Sequence, residues 1–185
     1  MRNGRWISWS GSSEMAEITM KNFEEKSYDI FRMFNERGAL LTAGTIDDYN
    51  TMTIGWGMFG TVWDHSRSAV TVYVSPDRYT YEFMEKNEYF TITFFPEEYR
   101  DDLMYLGSHS GRDEDKVAKT KLTPVVCGNS TAFKEAELTF LCRKVYAYQF
   151  EAEQTPEPMR SVYQTRLTPH YAYIGFIEDV SGEIE

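Results

Sequence analysis

The sequence predicts a mainly β fold, in which an antiparallel barrel carries a few short helices. Its apolar segments are mostly short and rich in β-branched and aromatic residues, and several alternate with polar residues as half-buried strands do. The strands follow one another too closely for the crossover connections of about a dozen residues that a parallel sheet requires. An antiparallel barrel therefore fits the pattern better than a doubly wound sheet.

The N-terminal part of the chain changes character at Met20. Residues 1–19 are polar and contain Gly and Ser, and we interpret them as a flexible extension of a domain that spans residues 20–185. The domain starts with apolar residues at helical spacing. They predict an amphipathic helix over Asn22–Arg37, with Gly38 as its C-cap.

The rest of the chain alternates between strands and short helices. The turn Asp47–Asn50 joins the first two strands as a hairpin. The predicted strands are Ala39–Ile46, Thr51–Trp56, Ala69–Val74, Tyr89–Phe95, Leu138–Phe150 and Tyr171–Ile177. The predicted helices are Tyr79–Glu85, Pro96–Leu106 (ended by Gly107), Asp113–Thr120 and a short piece at Met159–Tyr163.

Composition excludes several classes of protein. The 185 residues, 16% of them aromatic, are enough for one domain with a substantial core. A formal net charge of −10 argues against nucleic-acid partners and against anionic membrane surfaces, since both require a basic surface. No run approaches the roughly 18 apolar residues of a transmembrane helix, and Met1–Ser13 lacks a signal-peptide core. We therefore expect a cytoplasmic protein.

We expect neither a metal site nor a redox-active cysteine pair. Cys127 and Cys142 form no CxxC motif, so we interpret them as small buried thiols. His65 and His109 have no second His or Cys at ligand spacing. The acidic run Asp113–Asp115 lacks the Gly and the terminal Glu of a calcium loop.

Anion-binding chemistry is concentrated in the segment Ser108–Lys116. Ser108 and Ser110 supply hydroxyl donors, Gly111 allows close approach of a backbone N–H, and Arg112 offers a planar fork. Asp113 is then the N-cap of the helix that we predict after it. Phosphate is the ligand that this pattern favours, and a polar capping turn is the alternative.

The segment Gly55–Gly60 formally matches the GxGxxG dinucleotide fingerprint, and we reject the match. That fingerprint must open a helix. Here a polar turn follows and leads within a few residues into the strand Ala69–Val74. The glycines fit better to a bent strand or to a place where a flat ligand lies against backbone.

Three segments together favour a nucleotide with one flat ring and one phosphate. The first segment, Thr51–Trp56, offers hydroxyls, backbone and an indole. The second, Arg78–Thr80, offers a cation, a ring and a hydroxyl at a helix entry. The third, Ser108–Lys116, offers the phosphate-type donors. The candidate contacts are Thr51, Met52, Thr53, Trp56, Arg78, Tyr79, Thr80, Ser108, Ser110, Gly111, Arg112 and Lys116.

The chain resembles the flavin reductase-like, FMN-binding split-barrel proteins, and among them the flavoredoxin-like branch. The resemblance covers most of the domain, from Asn50 to Glu178. The motifs that carry it, in chain order, are Asn50–Gly57, Ser75–Thr80, Phe94–Pro96, Gly107–Asp113 with Asp115 and Lys116, and His170 ahead of Tyr173–Gly175.

The resemblance implies a homodimer of six-stranded split barrels with FMN at the subunit interface. It places Thr51, Met52 and Thr53 along the isoalloxazine, largely through backbone. It places Arg78 and Thr80 near the ribityl-phosphate. The second phosphate-side loop would comprise Ser108, Ser110, Gly111 and Lys116.

His170 stands where many flavin reductases carry a Gly-Asp-His motif implicated in nicotinamide binding or hydride transfer. Here Thr168 and Pro169 precede it, which departs from that motif. The expected activity is an oxidoreductase that passes a hydride or electrons through FMN, with NAD(P)H as the candidate donor. The alternatives are a non-catalytic FMN carrier reduced by a redox protein partner, and a barrel that binds another planar molecule such as haem.

Overall fold

The computed structural model describes residues 16–63 and 66–184. The strands are β1 (Ala16–Thr19), β2 (Ala39–Thr45), β3 (Asp48–Ile54), β4 (Gly57–Thr61), β5 (Ser68–Val74), β6 (Tyr89–Phe94), β7 (Pro124–Cys127), β8 (Ser130–Phe133), β9 (Leu138–Gln149) and β10 (Tyr171–Ile184). The helices are α1 (Ile30–Arg32, continued by a π-helical turn Met33–Arg37), α2 (Tyr79–Lys86), α3 (Arg100–Ser108) and α4 (Met159–Thr165). Short 3₁₀ turns occupy Phe23–Glu25, Glu97–Tyr99, Val117–Lys119 and Ala152–Gln154.

One large antiparallel sheet dominates the described part of the chain. Its strand order is β3-β2-β6-β9-β10-β5-β4, and β1 pairs with the far end of β10. The hairpin β7-β8 forms a separate small sheet. All six predicted strands lie in the large sheet, as β2, β3, β5, β6, β9 and β10, so the mainly β antiparallel prediction is confirmed.

The core of the sheet is strongly aromatic. Phe140 of β9 contacts Phe59 at 4.8 Å and Phe23 at 6.2 Å between ring centroids. Phe34 of the π-helical turn contacts Phe94 at 5.4 Å. Each such side chain contributes about 1.5–3 kcal/mol by leaving water. Eight of the twelve phenylalanines are buried, so phenylalanine supplies most of the aromatic core.

A second apolar cluster fastens α3 to the sheet near the candidate site. It contains Leu103 and Leu106 of α3, together with Leu40, Phe95, Leu122 and Phe133. Gly107 lies within α3, not after it, because its backbone packs closely against Thr53 of β3. The predicted end of this helix at Leu106 is therefore wrong by two residues.

The predicted helix Asn22–Arg37 is wrong in its first half. The Asn22 carboxamide oxygen accepts the Thr19 N–H at 2.8 Å and closes a turn. The Asp29 side chain accepts the Arg32 N–H at 3.1 Å, which caps a helix that begins only at Ile30. Gly38 ends the helical segment with a φ of 74°, as predicted.

The segment Ala16–Thr19 corrects the predicted domain boundary. It pairs with β10 as strand β1, and Ile18 is buried in the core. The predicted flexible extension therefore cannot include residues 16–19, and residues 1–15 lie outside the described residues.

Two further features bear on the sequence predictions. Gly57–Thr61 forms strand β4, antiparallel to β5, so the GxGxxG match opens no helix. No helix among the described residues is long and apolar enough to cross a membrane.

Candidate functional site

A small cavity lies where the start of α2, the end of α3 and strand β3 meet. Its volume of about 90 Å³ exceeds the roughly 10–15 Å³ that a single water needs. Both candidate loops and β3 therefore converge in space, as expected for one ligand. The lining residues are Asn50, Met52, Asp77, Arg78, Tyr79, Thr80, Leu106, Gly107, Ser108, His109, Ser110, Gly111 and Lys116.

Lys116 places a buried cation in this cavity. Only 4% of the residue is exposed. Its ammonium donates to the carbonyl oxygens of Leu106 at 2.7 Å and His109 at 2.9 Å. In the described part of the chain it forms no ion pair. A buried cation without a paired carboxylate calls for an anionic ligand.

Arg78 adds a second positive charge beside the first. It is exposed at the N-cap of α2 and forms no ion pair within residues 16–63 and 66–184. Burial and the Arg78 guanidinium together lower the pKa of Lys116 to about 8, against the opposing effect of Glu114. The two cations thus repel each other across the cavity, and a bound dianion would relieve that repulsion.

Arg112 takes a different role from the predicted phosphate fork. Its guanidinium donates to Glu82 of α2 at 2.5 Å and lies 4.8 Å from the ring centroid of Tyr79. It therefore ties the loop after α3 to helix α2. Tyr79 lines the cavity, whereas Arg112 lies outside its lining.

The two serines are also partly engaged within the loop. The Ser108 hydroxyl donates to the carbonyl of Met104 at 2.8 Å, and the Ser110 hydroxyl accepts the Arg112 N–H at 3.2 Å. The predicted helix Asp113–Thr120 is wrong: the Asp115 carboxylate accepts the Ala118 N–H and starts only a 3₁₀ turn. The loop is held in shape by its own side chains.

Asn50 is a site residue that the list of candidates missed. Its buried amide donates to the Thr80 hydroxyl at 2.7 Å. Gly111 packs directly on it, since a Cβ there would lie 2.2 Å from the Asn50 Oδ1 atom. Asn50 thus links β3, α2 and the loop after α3. Its position beside Thr51, at the head of the first motif, was the available signal.

Strand β3 offers a ligand its backbone, not its hydroxyls. Thr51 is fully buried and donates to the Leu41 carbonyl at 3.3 Å, while the Thr53 hydroxyl donates to the Leu103 carbonyl. Strand β3 ends the strand order of the sheet, so one of its backbone edges has no strand partner among the described residues. Met52, which lines the cavity, is the one side chain of Thr51–Thr53 placed to touch a ligand.

Trp56 lies beyond the cavity, in the link between β3 and β4. It is 49% exposed and lines a larger groove of about 690 Å³ with neighbours that include Phe34, Met58 and Tyr73. Its ring centroid is 5.0 Å from that of His170. Trp56 is therefore not a core aromatic, and it lies next to His170.

His170 is half-buried and surrounded by polar groups. Its Nδ1 atom is 3.1 Å from the Tyr163 hydroxyl. Burial and the Arg78 charge lower its pKa, while Asp77 acts in the opposite direction. Hydrogen bonds from Thr168 lower the pKa of Asp77 and keep that carboxylate ionised. The charges of Arg78 and Asp77 therefore both act on the His170 ring.

Comparison with known proteins defines the class. The family model described as flavin reductase like domain matches residues 31–181. The chain therefore belongs to the flavin reductase-like domain family. No curated protein sequence matches it.

Solved structures share its fold at low sequence identity. Flavoredoxin from Methanosarcina acetivorans is 21% identical, with a TM-score of 0.61 over 79% of this chain and 68% of that one. An FMN-binding protein from Thermus thermophilus with bound 1-cyclohex-2-enone is 16% identical, with a TM-score of 0.63 over 96% and 80%. A flavin reductase-type protein with a split barrel domain from Shewanella frigidimarina is 15% identical, with a TM-score of 0.61 over 79% and 66%. The predicted split-barrel fold is confirmed.

Proposed function

We propose that this protein binds FMN and works as an oxidoreductase of the flavin reductase or flavoredoxin type. The observation that carries the proposal is the buried ammonium of Lys116, which has no ion pair among the described residues and shares the lining of the cavity at the start of α2 with Arg78. Two cations and a helix N-terminus form a site for a dianionic phosphate. Membership of the flavin reductase-like domain family supports a flavin as the molecule that bears it.

The residues around the cavity supply what such a ligand needs. Lys116 and Arg78 would hold the phosphate, and Thr80 would orient Asn50 beside it. The unpaired backbone edge of β3, with Met52, would meet the polar edge of the ring. When bound, FMN supplies transfer of a hydride or of electrons, and the protein positions it and limits access of water.

The electron donor separates two forms of this function. The oxidoreductase form uses NAD(P)H, with His170 on the donor side of the ring. The carrier form is reduced by a redox protein partner, and the Thr168 and Pro169 that stand ahead of His170 in place of Gly and Asp favour it. Flavoredoxins are among the structural relatives.

The absorption spectrum of the purified protein titrated with FMN tests flavin binding, and anaerobic addition of NADH or NADPH tests the donor. Flavin binding followed by bleaching with one nicotinamide supports the oxidoreductase form. Binding without bleaching supports the carrier form. Absence of flavin binding at micromolar FMN would refute both.

His170 should affect donor use and not flavin retention. We expect His170→Ala to keep the FMN Kd within about threefold while it changes the rate of reduction. Loss of flavin binding would contradict the donor-side role, since His170 lies outside the cavity lining.

A homodimer that completes the site is also part of the proposal. Exposed large apolar side chains in the Trp56 groove support an interface there, notably Phe31 (83% exposed) and Met58 (61%). Light scattering at micromolar concentration tests it, and a monomer that binds FMN tightly would contradict it. A cytoplasmic location stays a prediction.

A further inference from the structure

Tyr163 contacts His170 beside the candidate site, and no role has been assigned to this tyrosine. His170 stands just before β10, and its carbonyl accepts the Phe150 N–H at 2.9 Å, which fixes the backbone. Its Nδ1 atom is 3.1 Å from the Tyr163 hydroxyl, and its ring is 5.0 Å from that of Trp56. The protein thus occupies Nδ1, and the residues that the structure describes give Nε2 no hydrogen-bond partner.

A second contact holds the segment that leads to His170. The Thr168 hydroxyl donates to the Asp77 carboxylate at 3.0 Å, and the Thr168 N–H donates to it at 3.4 Å. The ionisable groups that face His170 are therefore Tyr163 from α4, and Asp77 and Arg78 from the loop before α2.

The direction of the Tyr163 hydrogen bond decides which nitrogen of His170 carries the proton. Tyr163 is 8% exposed; burial raises the pKa of its hydroxyl, and a hydrogen bond from the His170 backbone N–H to that oxygen acts in the opposite direction. Because the hydroxyl oxygen already accepts this backbone N–H, its own proton is left to donate to Nδ1. A hydroxyl that donates to Nδ1 leaves the imidazole proton on Nε2. Burial and Arg78 lower the pKa of His170, which favours the neutral ring at about pH 7.

The geometry points to Tyr163 as a positioning residue that holds His170 as a neutral Nε2–H donor for a ligand bound next to Trp56. Such a donor recognises a carbonyl oxygen, so the ligand class is a carbonyl- or carboxamide-bearing electron donor or acceptor. This inference rests on the proposed function, because it assigns His170 to the electron-exchange side of the flavin.

Long-range ¹H–¹⁵N spectra of the three histidine side chains test the tautomer directly. The His170 signals are identified by their loss in His170→Gln. In the wild-type protein, without flavin, we expect a proton on Nε2 and none on Nδ1 in nearly all molecules. In Tyr163→Phe we expect a detectable Nδ1–H population and a higher His170 pKa, because the neutral form has lost its hydrogen-bond donor.

Thr168→Val is the matched control, since it removes the hydroxyl contact with Asp77 and leaves Tyr163 in place. It should keep the Nε2–H tautomer. A wild-type proton on Nδ1, or an unchanged tautomer and pKa in Tyr163→Phe, would overturn the inference. If Tyr163→Phe and Thr168→Val changed the His170 tautomer and pKa alike, a general loosening of the structure would explain both changes. That result would also overturn the inference.

Nicotinamide serves as the carboxamide probe in the FMN-loaded protein. Its addition should shift the His170 Nε2–H resonance in the wild type and shift it less in Tyr163→Phe. No shift in the wild type would refute the assigned ligand class. The tautomer readout needs no flavin, so failure of FMN to bind would refute the proposed function without being mistaken for failure of the Tyr163 assignment.

Discussion

At the scale of single residues, the central feature is a buried lysine that forms no ion pair with any residue that the structure describes. Lys116 is buried and held by two carbonyl oxygens. The neighbouring charge with the largest effect on its pKa is another cation, Arg78, and Glu114 acts in the opposite direction. Hydrogen bonds to carbonyls orient an ammonium but do not neutralise it. We therefore interpret Lys116 as one half of a phosphate site.

The lowered pKa of Lys116, about 8, predicts a pH dependence of ligand affinity. The free protein loses the ammonium proton as the pH rises through about 8, whereas a phosphate monoester is already dianionic above about pH 6. FMN affinity should be nearly constant between about pH 7 and 8, then fall by up to about tenfold per pH unit. Fluorescence titrations at several pH values measure this, with riboflavin as the phosphate-free control. An equal decline for riboflavin would contradict the assignment.

The same pKa makes a prediction for the stability of the ligand-free protein. Between about pH 8 and the ordinary lysine value of 10.5, the unfolded chain binds more protons at this residue than the folded one. The Lys116 contribution to stability therefore rises with pH in that window and is lowest below it. Urea unfolding of the wild type and Lys116→Met should differ in this slope. Parallel pH profiles would show that Lys116 titrates normally.

At the scale of elements, strands were more predictable than helices. Alternation of apolar and polar residues, together with β-branched content, identified the six strands, because that pattern directly stabilises pairing in a half-buried sheet. Helix starts depended on single side chains that bind backbone, such as Asp29 and Asp115, and spacing does not report them. The hairpin β7-β8 was not predicted, because its short strands carry little periodic signal.

The sequence likewise predicts only part of the candidate site. The composition of the loops predicted the convergence around Lys116, whereas the pairing of Arg112 with Glu82 depends on the packing of α2 against the loop. Asn50 and Tyr163 emerged only from the structure, since their roles come from contacts across 30 and seven residues of sequence, respectively.

Gly111 provides a test at this scale. An Ala side chain there would collide with the buried Asn50 amide, so the loop or Asn50 must shift. Gly111→Ala should destabilise the protein by about 1–3 kcal/mol and weaken FMN binding. Gly60→Ala is the matched control, because a Cβ at that position meets nothing within 4 Å. Equal melting temperatures for the two variants would contradict the close approach.

At the scale of the whole molecule, the large antiparallel sheet packs around an aromatic core, and the candidate site lies at the end of the sheet that β3 forms. Strand β10 unites the sheet, since it pairs with β9, β5 and β1. The polar composition of residues 1–19 hid β1, because a strand of four residues is too short to show a period. Its place in the sheet is set by long-range pairing.

The contribution of β1 can be measured at Ile18, which is 2% exposed. Ile18→Ala should lower the free energy of unfolding by about 2–5 kcal/mol, through lost burial and a residual cavity. The exposed neighbour Glu17 is the control, and Glu17→Ala should stay within about 0.5 kcal/mol. Urea denaturation compares them. If Ile18→Ala left the free energy of unfolding unchanged, β1 would be dispensable, as expected from the composition of residues 1–19.

The central claim is that Arg78 and Lys116 bind the phosphate of FMN, and the most direct measurement compares FMN with riboflavin. Each charge-assisted contact contributes roughly 1.5–3 kcal/mol, so Arg78→Ala and Lys116→Met should each weaken FMN binding by about 10- to 100-fold. Riboflavin, which lacks the phosphate, should bind weakly to the wild type and almost equally to both variants. Lys119→Ala, a change at an exposed lysine nearby, should leave both affinities unchanged. Equal losses for the two flavins, or no loss for either, would contradict the phosphate site.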